Sequence, residues 1–520
     1  MTNGLHVEKS DKNAPSQMRG RMLKGVGSSA FAQFILVLQH ILLVPFFIEA
    51  WGADGYGRWL ALTAFISYLS LLDLGGQAYI ANLLAMKYAE KKWNDFSRVL
   101  SEGVSLFLFT GIGVLILFAG CLWLFSYFPA PALERTLESW EVWVLILLGF
   151  QLLFLQIPSG VYSSVYRATG LYARGTLIGN LVKGFGIVIS LILLLAKVPP
   201  AVFAFGVLIV GLLTVFALVK DSRRVIPICR ELSIERSHFK LGFKHLKGSL
   251  YFWLLALAQA VKNQGILLIA AYFLSPAMVA LMTTHRTLSN LSGYIGILFQ
   301  GPAFPELSFF WAEKRAEDLK KASFLSVRVV LFLSGASAIF VWLLAPQIYR
   351  EWTQGELEIS SSLLGILLIQ AAMAGGWRTT CWGMMAVNRH RRIAFALLAN
   401  AIATILMAYW LAPEWGVEGI AMAGLIADLF FGLFLFPQLA TGFLGASLKS
   451  IFAQMGRAVA GMIPLAIMAC ICSRFFNGWD IVLAYSMIGL SIIYPLYAFV
   501  AGKEEASRSV VYFKTFLRKP

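Results

Sequence analysis

Charge is what this sequence has least of. Only 13% of its 520 residues are Asp, Glu, Lys or Arg, and the acidic ones are scarcest, 27 against 43 basic. A water-soluble domain carries about 25% charged residues because its surface has to be wetted. With 59% hydrophobic residues and a mean hydropathy of +0.74, this chain has too little polar surface to cover itself in water. Strand-like alternation of polar and apolar residues is missing too, which excludes an outer-membrane barrel. Cysteines are few: Cys121, Cys229, Cys381, Cys470 and Cys472 show no zinc or redox spacing and read as buried free thiols. The stretch from Gly170 to Thr176 has the glycine spacing of a phosphate loop but not its lysine, so ATP hydrolysis is excluded. No His-Glu metal motif occurs. Residues 1–23 are polar, with Lys9, Lys12, Arg19 and Arg21, and end without a cleavage pattern, so the first apolar block is expected to be a retained helix.

Long apolar blocks are what the sequence does have. Crossing a ~30 Å hydrocarbon core at 1.5 Å per residue takes about 20 residues. Blocks of that kind lie near 25–48, 57–80, 99–126, 141–165, 175–196, 200–219, 249–273, 278–300, 323–345, 359–386, 393–411, 417–437, 450–472 and 480–501. The expected fold is therefore all-α, a polytopic membrane protein with about fourteen transmembrane helices.

The placement of the basic residues explains the net charge of +16 without nucleic acid. Alternate connections carry Lys87, Lys91, Lys92 and Arg98, then Arg167 and Arg174, then eight Lys and Arg from Lys220 to Lys247. The series continues with Lys314, Arg315, Lys320 and Lys321, then Arg389, Arg391 and Arg392, then Lys449, and ends on Lys503, Arg508, Lys514, Arg518 and Lys519. The intervening connections hold little beyond Arg58, Arg135, Lys197, Arg350 and Arg474. This is a positive-inside alternation that puts both termini in the cytoplasm. It divides the chain into a cytoplasmic segment 1–24, six spans over 25–219, a basic linker 220–248, six spans over 249–438, a final pair over 449–501, and a tail 502–520. Leu23-Lys24-Gly25 and Leu246-Lys247-Gly248 open the two halves, and Asn180 and Asn400 sit at equivalent places, ten residues after Gly170 and His390. A 6+6 duplication is the expectation, as is common among transporters.

Ionisable residues inside spans are costly, about 2.5–3.5 kcal/mol each on insertion scales, and default to functional candidates. His40, Asp73, Lys183, Lys262, Arg286, Arg378 and Asp428 are such residues. On the eighth span Thr283, Arg286, Thr287, Asn290 and Gly293 recur at steps of three and four, a single helical face. Gln259, Lys262 and Asn263 form a stripe on the seventh, Gly25, Ser29, Gln33 and His40 on the first, and Ser70, Asp73 and Gln77 on the second. Stripes of this kind must face protein or water. If they face one another they enclose a wet, net-positive cavity with Lys262 and Arg286 as its principal cations.

Blander roles stand beside these. Asp73 reads equally as a partner of a neighbouring cation or as a transport residue, and Asp428 equally as structural or functional. His40 reads as a helix contact or a proton site. Lys183, Arg378 and Arg457 are close enough to the cytoplasmic ends to reach headgroups. Arg58 stands at the outer mouth and also reads as an interface anchor.

Gly52-Ala53-Asp54-Gly55-Tyr56-Gly57-Arg58-Trp59 leading to Leu72-Asp73-Leu74-Gly75, Arg167 to Gly170, Phe304-Pro305-Glu306-Leu307-Ser308, and Trp415 to Ala423 occur in the order of motifs in a known group. The chain resembles the multidrug/oligosaccharidyl-lipid/polysaccharide exporter superfamily, in its polysaccharide-transporter branch of O-antigen flippases. The resemblance implies two six-helix lobes around a central cavity lined by the first, second, seventh and eighth helices, alternating access, and a final helix pair offering a groove to a lipid tail. It further implies a flippase rather than an enzyme, moving a lipid-linked oligosaccharide on a polyprenyl-diphosphate carrier across a bacterial inner membrane. Arg286, Lys262, Arg58, His40, Asn263, Asn290 and Arg378 would contact substrate, and Asp73 and His40 would couple to H+ or Na+. No cofactor or nucleic acid is expected; membrane lipids, the glycan substrate and other polysaccharide-assembly proteins are the expected partners. A cation-coupled drug antiporter of the same superfamily, a membrane glycosyltransferase or polymerase, and a non-transporting assembly subunit are the rival readings. The antiporter needs deep carboxylates to hold a cation and the enzyme a long outer loop; the sequence offers neither in quantity.

Overall fold

The computed structural model describes residues 14–127, 138–226, 229, 234, 236–386 and 391–502. Lys9, Lys12, Arg135, Arg230, Arg389, His390 and the basic residues of the tail lie outside them, and so do the side chains of Ser29, Gln33 and Cys121. The described residues form helices and no strand. In chain order these are α1 (Ala14–Ser67), a 3-10 turn (Tyr68–Asp73), α2 (Gly76–Ala89), α3 (Trp93–Tyr127), α4 (Ser139–Phe150), a π turn (Gln151–Gln156), α5 (Ile157–Ala168), α6 (Tyr172–Leu195) and α7 (Pro200–Val225). Then come α8 (Arg236–Phe273), α9 (Pro276–Ala312), α10 (Ala316–Trp352), α11 (Ser361–Ala386), α12 (Arg391–Phe430), a second π turn (Phe431–Leu435), α13 (Phe436–Leu444), α14 (Leu448–Phe475) and α15 (Trp479–Ala501).

Ten helical stretches among the described residues are long and apolar enough to cross a bilayer. Two of them fold back on themselves. In α1 a straight helix would hold Phe47 and Trp59 about 18 Å apart, yet their ring centroids are 6.1 Å apart, because Gly52 at φ 69° reverses the chain. In α12 Gly416 at φ 57° does the same and brings Gly419 against the Leu411 carbonyl. Each reversal adds a crossing. The more polar α9 and α11, 37 and 26 residues long, supply two more and bring the crossings to fourteen. The protein is a multi-pass membrane protein.

The two reversals share a pattern, Trp51-Gly52-Ala53-Asp54-Gly55 and Trp415-Gly416-Val417-Glu418-Gly419. In both, the acidic residue turns to a neighbouring helix start, where a carboxylate meets free N–H groups and the positive end of the helix dipole. Asp54 Oδ1 accepts from the Ala277 N–H of α9 at 3.0 Å. Glu418 Oε1 accepts from Ser360 Oγ and Ser362 Oγ, at 2.8 and 3.0 Å, where α11 begins. Gly57 lies against Pro276: a Cβ there would stand 1.8 Å from the Pro276 carbonyl oxygen, so glycine is what lets the N-terminal and C-terminal halves meet at this end. A nest of rings, Phe47, Trp51, Tyr56, Trp59 and Phe203, fills the space beneath the α1 reversal.

The segment read as a basic linker is largely helical. Residues 220–225 finish α7 and residues 236–248 open α8, whose early turns lie on α3: Gly242 meets the Glu102 carbonyl. The closing pair α14 and α15 packs on α10, with Ala458, Leu465 and Val500 buried against Leu331 and Phe332. Large apolar side chains such as Trp410 (75% exposed) and Leu490 (76% exposed) point outward, as lipid-facing residues do. Cys229, Cys381 and Cys472 are buried, whereas Cys470 is exposed beside the exposed Ile471, so the expectation of burial fails for that thiol alone among the described cysteines.

Candidate functional site

Helical spacing brings one predicted stripe to a common cavity. Thr283, Arg286, Thr287 and Asn290 of α9 line it together with His40 of α1 and Asn263 of α8. The cavity holds about 150 Å³. Arg286 Nη1 donates to the Asn263 carbonyl at 3.1 Å, and no ion pair to Arg286 occurs among the described residues. A guanidinium without a carboxylate, set in walls of low dielectric, attracts anions strongly.

A second cavity of about 310 Å³ shares Asn263 as a wall and lies deeper in the C-terminal half. Gln259, Lys262, Gly293, Trp377, Arg378 and Asn400 line it. Arg378 stacks on the Trp377 ring, 5.4 Å from its centroid, and no ion pair to it occurs among the described residues. No carboxylate is among the described lining residues of either cavity.

Lys262 differs from the expectation. Its ammonium is ion-paired with Asp428 and donates to Asn400 Oδ1 at 2.7 Å. Asp428, 1% exposed, also accepts from Gln370 Nε2 at 2.8 Å and Asn400 Nδ2 at 3.2 Å. The buried Asp428 carboxylate accepts from three residues and matches the charge of Lys262, whose side chain keeps 18% exposure. Among the described residues, Arg286 and Arg378 are therefore the cations of this region without a carboxylate, and Lys262 faces the cavity with its charge already matched.

Other predicted residues stand elsewhere. Arg58 lies at the turn end and is ion-paired with Glu138, with Glu141 at 3.9 Å. The Arg58 guanidinium and the Trp140 indole hold the Glu138 carboxyl below its ordinary range. Asp73 ends the 3-10 turn where Leu74 and Gly75 take positive φ, and its Oδ1 caps α2 through the Gln77 N–H at 2.9 Å. Gln77 itself faces Gly160 of α5, so the stripe on the second span does not reach the central cavity. Arg457 donates to the Phe499 carbonyl at 2.7 Å, which ties α14 to α15.

Sequence reasoning missed the polar surface of α4 and α5. Gln151, Gln156, Ser159 and Ser163 face a third cavity among α1, α4–α5, α6 and α7. Their spacing departs from helical periodicity at the π turn, so a reading based on 3.6 residues per turn could not align them.

No protein-family model matches the sequence, and no curated protein matches it. Solved structures do. A lipid II flippase, MurJ, in an inward closed conformation superposes with a TM-score of 0.68 at 13% identity, covering 96% of this chain and all of the other. A multidrug resistance MATE family transporter of the MOP superfamily, in its inward-facing conformation, gives 0.65 at 16% identity over 80% of this chain and 96% of the other. A point mutant of a MATE protein gives 0.56 at 15% identity over 83% and 96%. The chain thus has the fold of multi-pass MOP superfamily transporters.

Proposed function

We propose that the protein is a flippase that moves a lipid-linked oligosaccharide, carried on a polyprenyl diphosphate, across the cytoplasmic membrane by alternating access. One observation carries this reading: the cavities between and within the halves present Arg286 and Arg378 to their interior and, among the described residues, no carboxylate. Fixed positive charge in a low-dielectric pocket selects a diphosphate and repels an organic cation. Asn263 and Asn290 supply neutral donors and acceptors beside Arg286, and His40 faces it from α1. The positive-inside pattern puts the Gly52 and Gly416 turns on the outer side of the membrane and both termini in the cytoplasm. The pair α14–α15 adds apolar surface on α10 beyond the twelve preceding spans, which supports a substrate with a lipid tail.

The test is binding and flipping of a polyprenyl-diphosphate-linked oligosaccharide by the full chain in proteoliposomes. Wild-type protein should flip it, and Arg286→Ala should not. Transport of an organic cation in place of the lipid would establish the antiporter reading instead.

A further inference from the structure

The third cavity lies within the N-terminal half and has no part in the site described above. It holds about 420 Å³, within the 300–1,000 Å³ typical of ligand pockets. Its construction depends on the π turn. Five residues along an α-helix are about 140° apart, which would point Gln151 and Gln156 in different directions. Here the Ile157 N–H reaches back five residues to the Leu152 carbonyl, and the widened turn lets both amides line the cavity in one row with Ser159 and Ser163. Opposite them stand Gln39 of α1 and Lys183 of α6. No ion pair to Lys183 occurs among the described residues, and no carboxylate is among the described lining residues.

Asp221, one turn beyond the lining Leu218 on α7, is engaged elsewhere. Asp221 is held by Arg174 through two bonds of 2.6 and 2.9 Å and by the Tyr166 hydroxyl at 2.8 Å. That cluster lies beside the lining residue Leu218, whose carbonyl also accepts from Tyr166 at 3.3 Å. On α1, Gln39 faces this chamber while its neighbour His40 faces the central cavity, so one helix separates the two.

Carboxamides donate and accept at once, as sugar hydroxyls do. Apolar side chains such as Val182, Ile189 and Val207 share the wall with the amides and suit the nonpolar face of a sugar ring, and a cation would meet Lys183. We propose that this chamber is a second binding site, specific for a sugar residue bearing an acidic group, with Gln39, Gln151 and Gln156 on the hydroxyls and Lys183 on the acid. The inference builds on the flippase reading by naming the glycan class: an oligosaccharide that contains an acidic sugar.

Two measurements separate this proposal from the reading it rests on. In the first, the full chain in lipid nanodiscs is titrated with a bare polyprenyl diphosphate and with the same carrier bearing a uronic-acid oligosaccharide. The acidic glycan should tighten binding at least about tenfold, the scale of one hydrogen bond to a charged group, and Lys183→Gln should remove most of that gain, leaving what the amides contribute through the hydroxyls. In the second, Gln156→Cys, in a background with the native cysteines replaced, is treated with a thiol reagent in the presence of glucuronate. Glucuronate should protect the thiol, and Lys183→Gln should abolish the protection. Equal affinities for both carriers and no protection overturn the chamber while leaving the central site intact. Protection without binding of either carrier overturns the flippase reading and leaves the chamber standing as a sugar-acid site.

Discussion

Lys262 of α8 and Asp428 of α12, 166 positions apart in sequence, are ion-paired inside the C-terminal half, and Asn400 of α12 is bonded to both. Removing one partner leaves the other charge buried and unmatched, which costs about 3–5 kcal/mol. Lys262→Met and Asp428→Leu should each lower the unfolding temperature of the detergent-purified protein markedly. The double variant should recover most of that loss. Independent, additive losses in a thermal-shift series would show that the pair does not act as a unit.

Arg286 has no such partner among the described residues, and its replacement should separate function from stability. Arg286→Ala is expected to abolish binding of a polyprenyl diphosphate with little change in unfolding temperature. Arg286→Lys should restore binding in part, because the charge returns without the planar fork. Isothermal titration of both variants beside wild type reads this out, and wild-type affinity in Arg286→Ala would remove the residue from the site.

Gly57 is a close point of contact between the halves at the turn end. Gly57→Ala puts a methyl group where the Pro276 carbonyl already sits, so the α1 arm must withdraw from α9. Cysteines introduced at Asp54 and Ala277, where the Asp54 carboxylate reaches the Ala277 backbone N–H at 3.0 Å, should cross-link in the parent and less once Gly57→Ala is added. Equal cross-linking yields would mean that α9 yields to the methyl group.

The Arg58–Glu138 pair is expected to add a small stability at neutral pH that disappears in acid. The Glu138 carboxyl titrates lower in the folded protein than the ordinary carboxylate value of about 4.3, with Arg58 the main cause. Its contribution is therefore fully present above that value and is lost as pH falls through the lowered one. Both groups are exposed, so the effect is small. A profile of unfolding temperature against pH should show a slight extra acid loss in wild type that Arg58→Ala lacks, while binding of the diphosphate carrier is the same in both proteins.

Much of this architecture could be read from the residues. The fourteen crossings follow from apolar blocks and basic connections, because both record the thickness and asymmetry of a bilayer. The α9 stripe was legible for the same reason: Thr283, Arg286, Thr287 and Asn290 obey the helical period, and the structure sets all four on one cavity. What was not legible depended on partners. Lys262 is a deep cation on a polar stripe, but no local pattern announces that Asp428 neutralises it. The second-span stripe failed because the helix breaks at Leu74 and Gly75, which rotates Gln77 toward Gly160. The row from Gln151 to Ser163 stayed hidden because a π turn shifts the period within it.

The reversals at Gly52 and Gly416 constrain how the molecule can move. Each joins two crossings through one non-helical residue, so there is no spare chain to let out if one arm slides along the membrane normal. The arms of each hairpin are geared together. A change of shape in this protein has to come from tilting or rotating such hairpins as whole levers, with the single glycine as the fixed elbow of each.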